Sequence, residues 1–294
     1  MEFKDLEIFQ IVAEKGTITE AAKELNYVQS NITSRIKKLE KELNTPLFNR
    51  HRRGMTLTPE GKKLLIYSEK IMALTKEMKK AVQSKNEPSG KLEIGTIETV
   101  FHLPNLLAAF DKKYKNVELS LFSGVTNKLE EKVLNHKLDG AFVTKANFSP
   151  EIVAKDVFNE ELVLISNRQI PTFEEVIKQP ILCFSKGCGY RARLETWYND
   201  QKITPHKVME FGTLETILRS VVVGLGIAFV PKTTVAHLEQ SNLIQSHKLP
   251  EKYSSITTVF IRRADTFLTT TLQKFIETID SENDHASVYE LESI

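Results

Sequence analysis

The side chains best suited to chemistry lie in one short polar segment near the amino terminus. Its members are Gln29, Ser30, Asn31, Thr33 and Ser34. Short amide and hydroxyl groups donate and accept hydrogen bonds, which is the chemistry that reads base edges in the major groove of DNA. Cationic side chains suited to phosphate follow: Arg35, Lys37, Lys38, Arg50, Arg52 and Arg53. The segment therefore predicts double-stranded DNA as a partner.

Positive charge is concentrated in this part of the chain. Residues 29–53 hold seven Lys or Arg against two acids, about +5, whereas the whole chain has a formal net charge of +2. Residues 1–87 carry 17 basic and 12 acidic side chains, and residues 88–294 carry 23 and 26. A lysine-rich helix is by itself more often a solvated surface. Here the charge occurs together with a helix that starts with polar residues and with a basic hairpin, which favours nucleic-acid binding by the amino-terminal domain.

Two helices and a hairpin are expected to position these side chains. Thr17 and Glu20 predict a capping box at the start of a first short helix. Apolar residues at spacings of three and four predict a second helix over about residues 28–43, with the polar residues facing outward. These apolar residues are Ile32, Ile36, Leu39 and Leu43. The pattern over residues 47–58 then indicates a hairpin with a basic tip.

The stretch from Leu6 to Gly61 resembles the winged DNA-binding module of LysR-type transcriptional regulators. The resemblance rests on Ala21-Ala22, Gln29, Leu39-Glu40, Pro46-Leu47-Phe48 with Arg50, and the ending Leu57-Thr58-x-x-Gly61. It implies that residues 29–34 meet bases and that Arg35 and the wing arginines meet the DNA backbone. Val28 stands where the family usually has Ser, and Ser30 where Pro is common. Asn26, with Gln29 three residues later, is therefore expected to cap the helix predicted over about residues 28–43, here called the reading helix.

Composition is typical of a two-domain protein. The chain has 294 residues, 41% of them hydrophobic, which is enough for a core in each of roughly two domains. It has two cysteines, no segment of secretory type, and no apolar run approaching ~18 residues, so we expect a cytoplasmic protein without a membrane span. The seven histidines show no metal-ligand spacing. No metal and no cofactor is predicted.

A long helix is expected to connect the two domains. Thr58 is placed to cap it, and Pro59 occupies the favoured first helical position. Apolar residues then alternate at three and four, the pattern of a coiled-coil seam: Leu64, Tyr67, Ile71, Leu74, Met78 and Ala81. Such a stripe packs either on its own domain or on a second copy, and beside a DNA-binding module we favour a homodimer or homotetramer. The polar segment 84–90 ends the helix as a hinge.

The remainder predicts an α/β domain. Strands are expected at about 91–96, 117–122, 140–143, 161–166, 181–184, 208–211 and 227–230, alternating with helices, which implies parallel strands and crossover helices. The segments KLEIGTIETV, LDGAFV and VVVGLGIAFVP also resemble LysR-type regulators. The resemblance implies a two-lobed domain like a periplasmic binding protein, with a small effector between the lobes.

The predicted domains are therefore a winged helix-turn-helix over 1–58, a linker and dimerisation helix over 59–87, and an effector-binding domain over 91–294. Within the last, the first lobe is expected to comprise residues 91–161 and 265–294, and the second lobe residues 162–264.

Effector contacts are expected where strands of both lobes end and helices begin. The candidate residues are Thr96, Glu98, Thr99, Thr126, Ser185, Cys188, Tyr190, Gly212 and Thr213. Threonine hydroxyls near helix amino termini suit an anion, so we expect a small anionic metabolite. The competing interpretation is that these threonines only cap helices.

Cys188 supports an alternative function. Lys186, Arg191, Arg193 and a helix start all favour a thiolate, which would make this cysteine a redox sensor. The same loop position holds a sensing thiol in peroxide-responsive relatives of the family, whereas Gly-Cys-Gly-Tyr-Arg and Leu-Glu-Thr-Trp resemble its CzcR-like subgroup.

An enzyme is the rival class. Gly224-Leu225-Gly226 lacks the third glycine of a dinucleotide loop, since Phe229 takes its place. A hydrolase using Cys188 and a histidine is the remaining alternative. We predict that the chain is not an enzyme.

Overall fold

A computed structural model describes residues 1–52, 54–83, 87–100 and 102–291, with side chains as far as residue 282. The predicted contacts of Arg53 and the hinge residues 84–86 lie outside this part. The chain divides into two compact units, Met1–Gln83 and Ser84–Ile294. Among the described residues, no helix combines the length and the apolar character that crossing a membrane requires.

The first unit is a helical module with a small hairpin. Its elements are α1 (Phe3–Lys15), α2 (Ile18–Glu24), α3 (Gln29–Glu42), β1 (Phe48–His51), β2 (Gly54–Leu57) and α4 (Pro59–Val82). Ile32, Ile36 and Leu39 of α3 are fully buried against Phe9 of α1, and Ala21 of α2 lies in the same core. The helix predicted over 28–43 is thus confirmed to within one residue at each end.

The caps of this unit match the prediction only in part. Thr17 accepts a hydrogen bond from the amide of Glu20 at 3.2 Å, as expected. The Glu20 carboxylate forms an ion pair with the Lys23 ammonium at 2.8 Å. At α3 the N-cap is Val28 and no side chain caps the helix, so the expectation for Asn26 was wrong. Asn26 has φ +54°, a left-handed conformation that lets the chain turn after α2.

The second unit alternates strands and helices. Its first part contains β3 (Gly90–Thr96), α5 (Leu103–Lys113), β4 (Val117–Ser123), α6 (Thr126–Leu134), β5 (Gly140–Thr144) and β6 (Ile152–Asn167). Its middle part contains α7 (Phe173–Val176), β7 (Ile181–Cys183), α8 (Gly189–Asp200), β8 (Val208–Glu210), α9 (Leu214–Val222) and β9 (Ala228–Pro231). Its last part contains α10 (Lys232–Gln240), β10 (Ile244–Lys248), α11 (Glu251–Ser254), β11 (Ser255–Arg263) and α12 (Thr270–Leu291).

The expectation of parallel strands holds for only part of this unit. Strand β3 pairs in parallel with β4 and β5, and β7 pairs in parallel with β8. Strands β9, β10 and β11 instead pair antiparallel with β6, and β11 also pairs antiparallel with β5. The long strand β6 therefore contributes to both lobes, whereas the sequence predicted only its last third.

The lobe boundary after the second lobe also needs correction. Residues 255–263 were expected in the second lobe, but Thr258 pairs with Thr144 and Ile261 with Ala141 of β5. Phe260 packs on Phe142 and Phe275 in the core beneath that sheet. Because its pairing and its packing are with first-lobe elements, we assign β11 to the first lobe.

Candidate nucleic-acid interface and effector cavity

Helix α3 presents its polar residues to solvent. Gln29, Ser30, Asn31, Ser34 and Lys37 are exposed, and Thr33 is half-buried. Because Ile32, Ile36 and Leu39 are buried on the opposite face, the helix can turn only this polar side toward a partner.

Arg35 forms ion pairs within the first unit. Its Nη1 donates to the Asp5 carboxylate at 2.7 Å and lies 3.4 Å from the Glu2 carboxylate. Asp5 is only 1% exposed. Burial alone would raise the pKa of Asp5, but hydrogen bonds from the Glu2 amide and Arg35 bring that pKa below its usual value. The guanidinium expected on the DNA backbone therefore ties α3 to α1 within the protein.

The carboxylate of Glu40 holds the start of the hairpin. It accepts hydrogen bonds from the amides of Leu47 at 2.9 Å and Phe48 at 3.4 Å. A carboxylate suits this place because the two amides lie at the start of the hairpin and need an acceptor. This contact explains why Leu39-Glu40 and Pro46-Leu47-Phe48 occur together.

Thr58 joins the same turn to α4. Its hydroxyl donates to the Pro46 carbonyl and accepts from the Gly61 amide, both at 2.9 Å. A Cβ on Gly61 would lie 2.2 Å from the Leu47 carbonyl oxygen, so only glycine fits. The ending Leu-Thr-x-x-Gly therefore connects the hairpin to α4 through these contacts.

The hairpin forms the predicted wing. Strands β1 and β2 pair antiparallel, with His51 opposite Gly54, and Arg50 and Arg52 are exposed. The Met55 amide donates to the Gly16 carbonyl at 2.7 Å, which fixes the wing to the end of α1. Two wing cations are therefore displayed on a structurally anchored hairpin.

Helix α4 leaves half of its six predicted seam residues exposed in this unit. Tyr67, Leu74 and Met78 are each more than half exposed, whereas Leu64 packs against the core of the first unit. On its inner side Ser68 is fully buried and accepts from the Gln10 amide at 3.2 Å. The helix is thus anchored at its beginning and apolar on an open face further along.

In the second unit a cavity of about 580 Å³ lies where strands of both lobes end. Six of the nine predicted effector residues line it: Glu98, Thr99, Ser185, Cys188, Tyr190 and Gly212. Its walls also include Ile97, Val125, Phe184 and Phe211, so most of the lining is apolar.

Three predicted residues do not line this cavity. The Thr96 hydroxyl is buried and donates to the Ile97 carbonyl at 2.9 Å. The Thr126 hydroxyl accepts from the Thr144 amide at 3.3 Å. Thr213 accepts from the Thr216 amide at 3.3 Å and caps α9. Only Thr213 caps a helix, as the competing interpretation from the sequence proposed, whereas Thr96 and Thr126 bond backbone groups without capping one.

Two contacts cross the cleft beside the cavity. The hydroxyls of Thr99 and Tyr190 are 2.6 Å apart and buried. The Glu98 carboxylate accepts from the Leu214 amide at 2.7 Å, at the amino terminus of α9 where the helix dipole favours negative charge. Both pairs join the loop after β3 to a helix of the second lobe.

Sequence reasoning missed several lining residues. Lys128 and Lys132 line the cavity from α6, and Thr144 and Glu210 line it from the ends of β5 and β8. The two lysines are four residues apart, so they share a helix face, and that spacing just after the predicted Thr126 was a usable signal. The Thr144 Oγ1 is buried without a hydrogen-bond partner.

A second cavity of about 730 Å³ shares Thr144, Cys188 and Gly189 with the first. Thr126 and Lys145 line it from the first lobe, together with cations of the second lobe. The second-lobe cations are Lys186, Arg191, Arg193 and Lys252.

The environment of Cys188 contradicts the thiolate expected there. Burial raises the pKa of this thiol, and hydrogen bonds from the amides of Arg191 and Tyr190 offset only part of that effect. The Arg191 guanidinium is engaged by Glu195 at 2.7 Å and by Glu210 at 2.6 Å. Burial likewise raises the pKa of Cys183 to about 11. Both thiols are therefore held in the neutral, weakly reactive form.

Glu160 is a buried carboxyl where β6 passes between the lobes. Burial raises its pKa to about 7, and a 3.4 Å hydrogen bond from Thr258 only partly opposes this. Its other oxygen, Oε1, has no hydrogen-bond partner.

Comparison with known proteins defines the class. Residues 3–62 match the family model described as bacterial regulatory helix-turn-helix protein, lysR family, and residues 85–284 match the LysR substrate binding domain. The chain therefore belongs to the LysR family of DNA-binding transcriptional regulators with an effector-binding domain.

Among curated relatives, the chain is similar to the HTH-type transcriptional regulator SoxR of Arthrobacter sp. (strain TE1826), with 57% identity over 95% of this chain and 96% of the relative. It is also similar to the HTH-type transcriptional regulator CzcR of Bacillus anthracis, with 50% identity over 95% of this chain and 97% of the relative. These similarities confirm the resemblance to the CzcR-like subgroup.

Solved structures share the fold. CbnR, a LysR family transcriptional regulator, superimposes with a TM-score of 0.71 at 22% identity, covering 96% of this chain and 99% of CbnR. Full-length OxyR from Pseudomonas aeruginosa has a TM-score of 0.64 at 20% identity, covering 96% of this chain and 94% of OxyR.

Proposed function

We propose that α3 reads bases in the major groove while the wing arginines contact phosphates. The exposed row of Gln29, Ser30, Asn31 and Ser34 on a helix whose opposite face is buried carries this proposal. Amides and hydroxyls of this kind match base edges. Arg50 and Arg52 suit the DNA backbone because they are exposed on an anchored hairpin.

The similar fold of CbnR, which has also been solved with its target DNA, supports this assignment. Arg35 does not belong to the contact set that we propose, because its guanidinium is engaged by Asp5 and Glu2. Lys37 is exposed and remains in the set.

The salt dependence of DNA binding tests the backbone contacts. Full-length protein would be used to select fragments from a genomic pool, and the affinity for a selected duplex would be measured over a range of salt. Arg50→Ala and Arg52→Ala should each lower the slope of log affinity against log salt by about 0.9 and weaken binding to all duplexes alike. An unchanged slope would remove the wing from the interface.

Self-association through α4 follows from its open apolar face. Tyr67, Leu74 and Met78 need a partner surface, and a second copy would also double the contacts to a two-fold related DNA site. Leu74→Glu should shift the full-length protein to a smaller species in sedimentation, whereas Lys76→Glu on the same helix should not. An unchanged sedimentation coefficient for Leu74→Glu would place self-association elsewhere.

For the cavity of about 580 Å³ we propose a small anionic effector with an apolar body. Lys128 and Lys132 supply positive charge, the Thr99 and Tyr190 hydroxyls supply polar contacts, and the walls are largely apolar. A panel of small carboxylates should include members that raise the thermal unfolding temperature of the full-length protein. Lys128→Ala should weaken that effect and the exposed Lys178→Ala should not. Equal loss in both variants would contradict the assignment.

A further inference from the structure

Val28 is an apolar residue displayed at the front of the reading helix. Its side chain is 69% exposed, and it is the N-cap residue that immediately precedes the exposed Gln29. The apolar residues within α3 itself, Ile32, Ile36 and Leu39, are all buried. Val28 therefore lies beside the exposed polar residues without belonging to the core.

The first unit has no side-chain helix cap where a valine occupies this position. A valine has no side-chain oxygen with which to cap a helix, and a missing cap destabilises the helix start. The start of α3 accordingly has no side-chain cap. The side chain also leaves apolar surface in water, which a serine would not. The exposed side chain is available to a partner that approaches this end of the helix.

The major groove offers one apolar group, the C5 methyl of thymine. We infer that Val28 contacts a thymine methyl in the bound DNA and thereby determines specificity at that base. The neighbouring Gln29 carries the amide that pairs with the N6 and N7 of adenine. Thymine and adenine are the two bases of an A·T pair, so both contacts favour sites that contain A·T pairs. This inference rests on the proposed reading role of α3.

Replacing thymine by deoxyuridine removes only the methyl group and so tests the contact directly. The probes are duplexes selected from a genomic pool by the full-length protein. Each thymine within the segment that the bound protein protects from nuclease is replaced in turn. At one thymine of a half-site, wild-type affinity should fall about fourfold, which corresponds to roughly 0.8 kcal/mol for one buried methyl-sized group. Val28→Ser should bind the thymine and deoxyuridine forms of that duplex equally.

A second variant and a control separate this contact from effects on folding. Val28→Ser supplies a helix cap and can alter affinity for every duplex. A cap alone, however, cannot change the difference in affinity between the thymine and deoxyuridine forms of one duplex. Val28→Ala, which has no capping group and a shorter apolar side chain, should show a methyl effect smaller than that of wild type. Val223→Ser, another exposed valine but in the second unit, should keep the fourfold effect.

Two results would overturn the inference. One is a methyl effect that is the same size in wild type and Val28→Ser at every thymine. The other is the absence of any methyl effect in wild type. If either result were found while Gln29→Ala still lost affinity for the cognate duplex as predicted, only the Val28 contact would be refuted. If Gln29→Ala also bound cognate and random DNA like wild type, the reading role of α3 would fail with it.

Discussion

The hydroxyls of Thr99 and Tyr190 form a 2.6 Å hydrogen bond between the loop after β3 and helix α8. Both side chains line the cavity, and both are almost fully buried. The same bond therefore joins the two lobes and borders the place where we propose that an effector binds. A ligand that competes for either hydroxyl changes the contact between the lobes, which links occupancy of the cavity to the arrangement of the regulatory unit.

Removing this bond should weaken the second unit. Tyr190→Phe leaves the buried Thr99 hydroxyl without its partner, so the free energy of unfolding should fall by about 1–3 kcal/mol. Trp197, the single tryptophan, is buried in α8 and reports urea unfolding of this unit by fluorescence. The double variant with Thr99→Val should cost less than the two single changes together. Strict additivity would show that the hydroxyls do not interact.

Substitutions of Arg35 and Lys37 should have different effects, the first on stability and the second on DNA binding. Arg35→Ala leaves the buried Asp5 carboxylate without its guanidinium, which should destabilise α1 so that its amide exchange becomes faster. Lys37→Ala should leave α1 unchanged and lower the salt slope of DNA binding by about 0.9. Hydrogen exchange over residues 3–15 and salt titrations of both variants measure the two effects. Equal exchange rates in α1 would contradict a structural role for Arg35.

Glu160 should make stability depend on pH. Its pKa in the folded protein is raised from 4.5 to about 7, so the folded state retains a proton that the unfolded state releases over this range. Stability is then greatest below about pH 4.5, falls by roughly 3 kcal/mol as the pH rises to 7, and changes little above it. Other titrating groups add their own pH dependence, so the contribution of Glu160 is the difference between wild type and Glu160→Gln. Urea unfolding followed at Trp197 should show this difference shrinking between pH 8 and pH 5. A constant difference would contradict the raised pKa.

Cys188 should react slowly as a thiol. Burial raises its pKa, so alkylation of the folded protein at pH 7 should be slower than alkylation of the unfolded chain. Cys188→Ser should bind operator DNA like wild type, with or without mild peroxide. Rapid alkylation of the native protein, together with loss of a peroxide response in Cys188→Ser, would instead restore the redox-sensor alternative.

The sequence predicted those parts of the molecule that depend on local spacing. The apolar repeat at Ile32, Ile36 and Leu39 defined α3 to within a residue, and Thr58 with Pro59 located the start of α4. The partners of Arg35 were not predictable in this way. Asp5 lies 30 residues earlier, and only the packing of α1 on α3 brings the two together.

In the cavity, too, the sequence predicted some residues and missed others. Glu98, Thr99 and Tyr190 were predicted because ligands in α/β folds gather at strand ends. The lining residue Thr144 and the buried Glu160, which does not line the cavity, were missed because their importance depends on pairings that are distant in sequence. Both residues lie beside Thr258 of β11, a strand that the spacing of apolar residues did not predict.

The exposed face of α3 is expected to read DNA bases, and Gln29→Ala tests this role most directly. Dissociation constants of wild type and variant would be measured by fluorescence anisotropy at one salt concentration, on a selected operator duplex and on a random duplex of equal length. We predict a loss of roughly 1–3 kcal/mol on the operator and little change on the random duplex. An equal loss on both duplexes, or no loss on the operator, would contradict the reading role of α3.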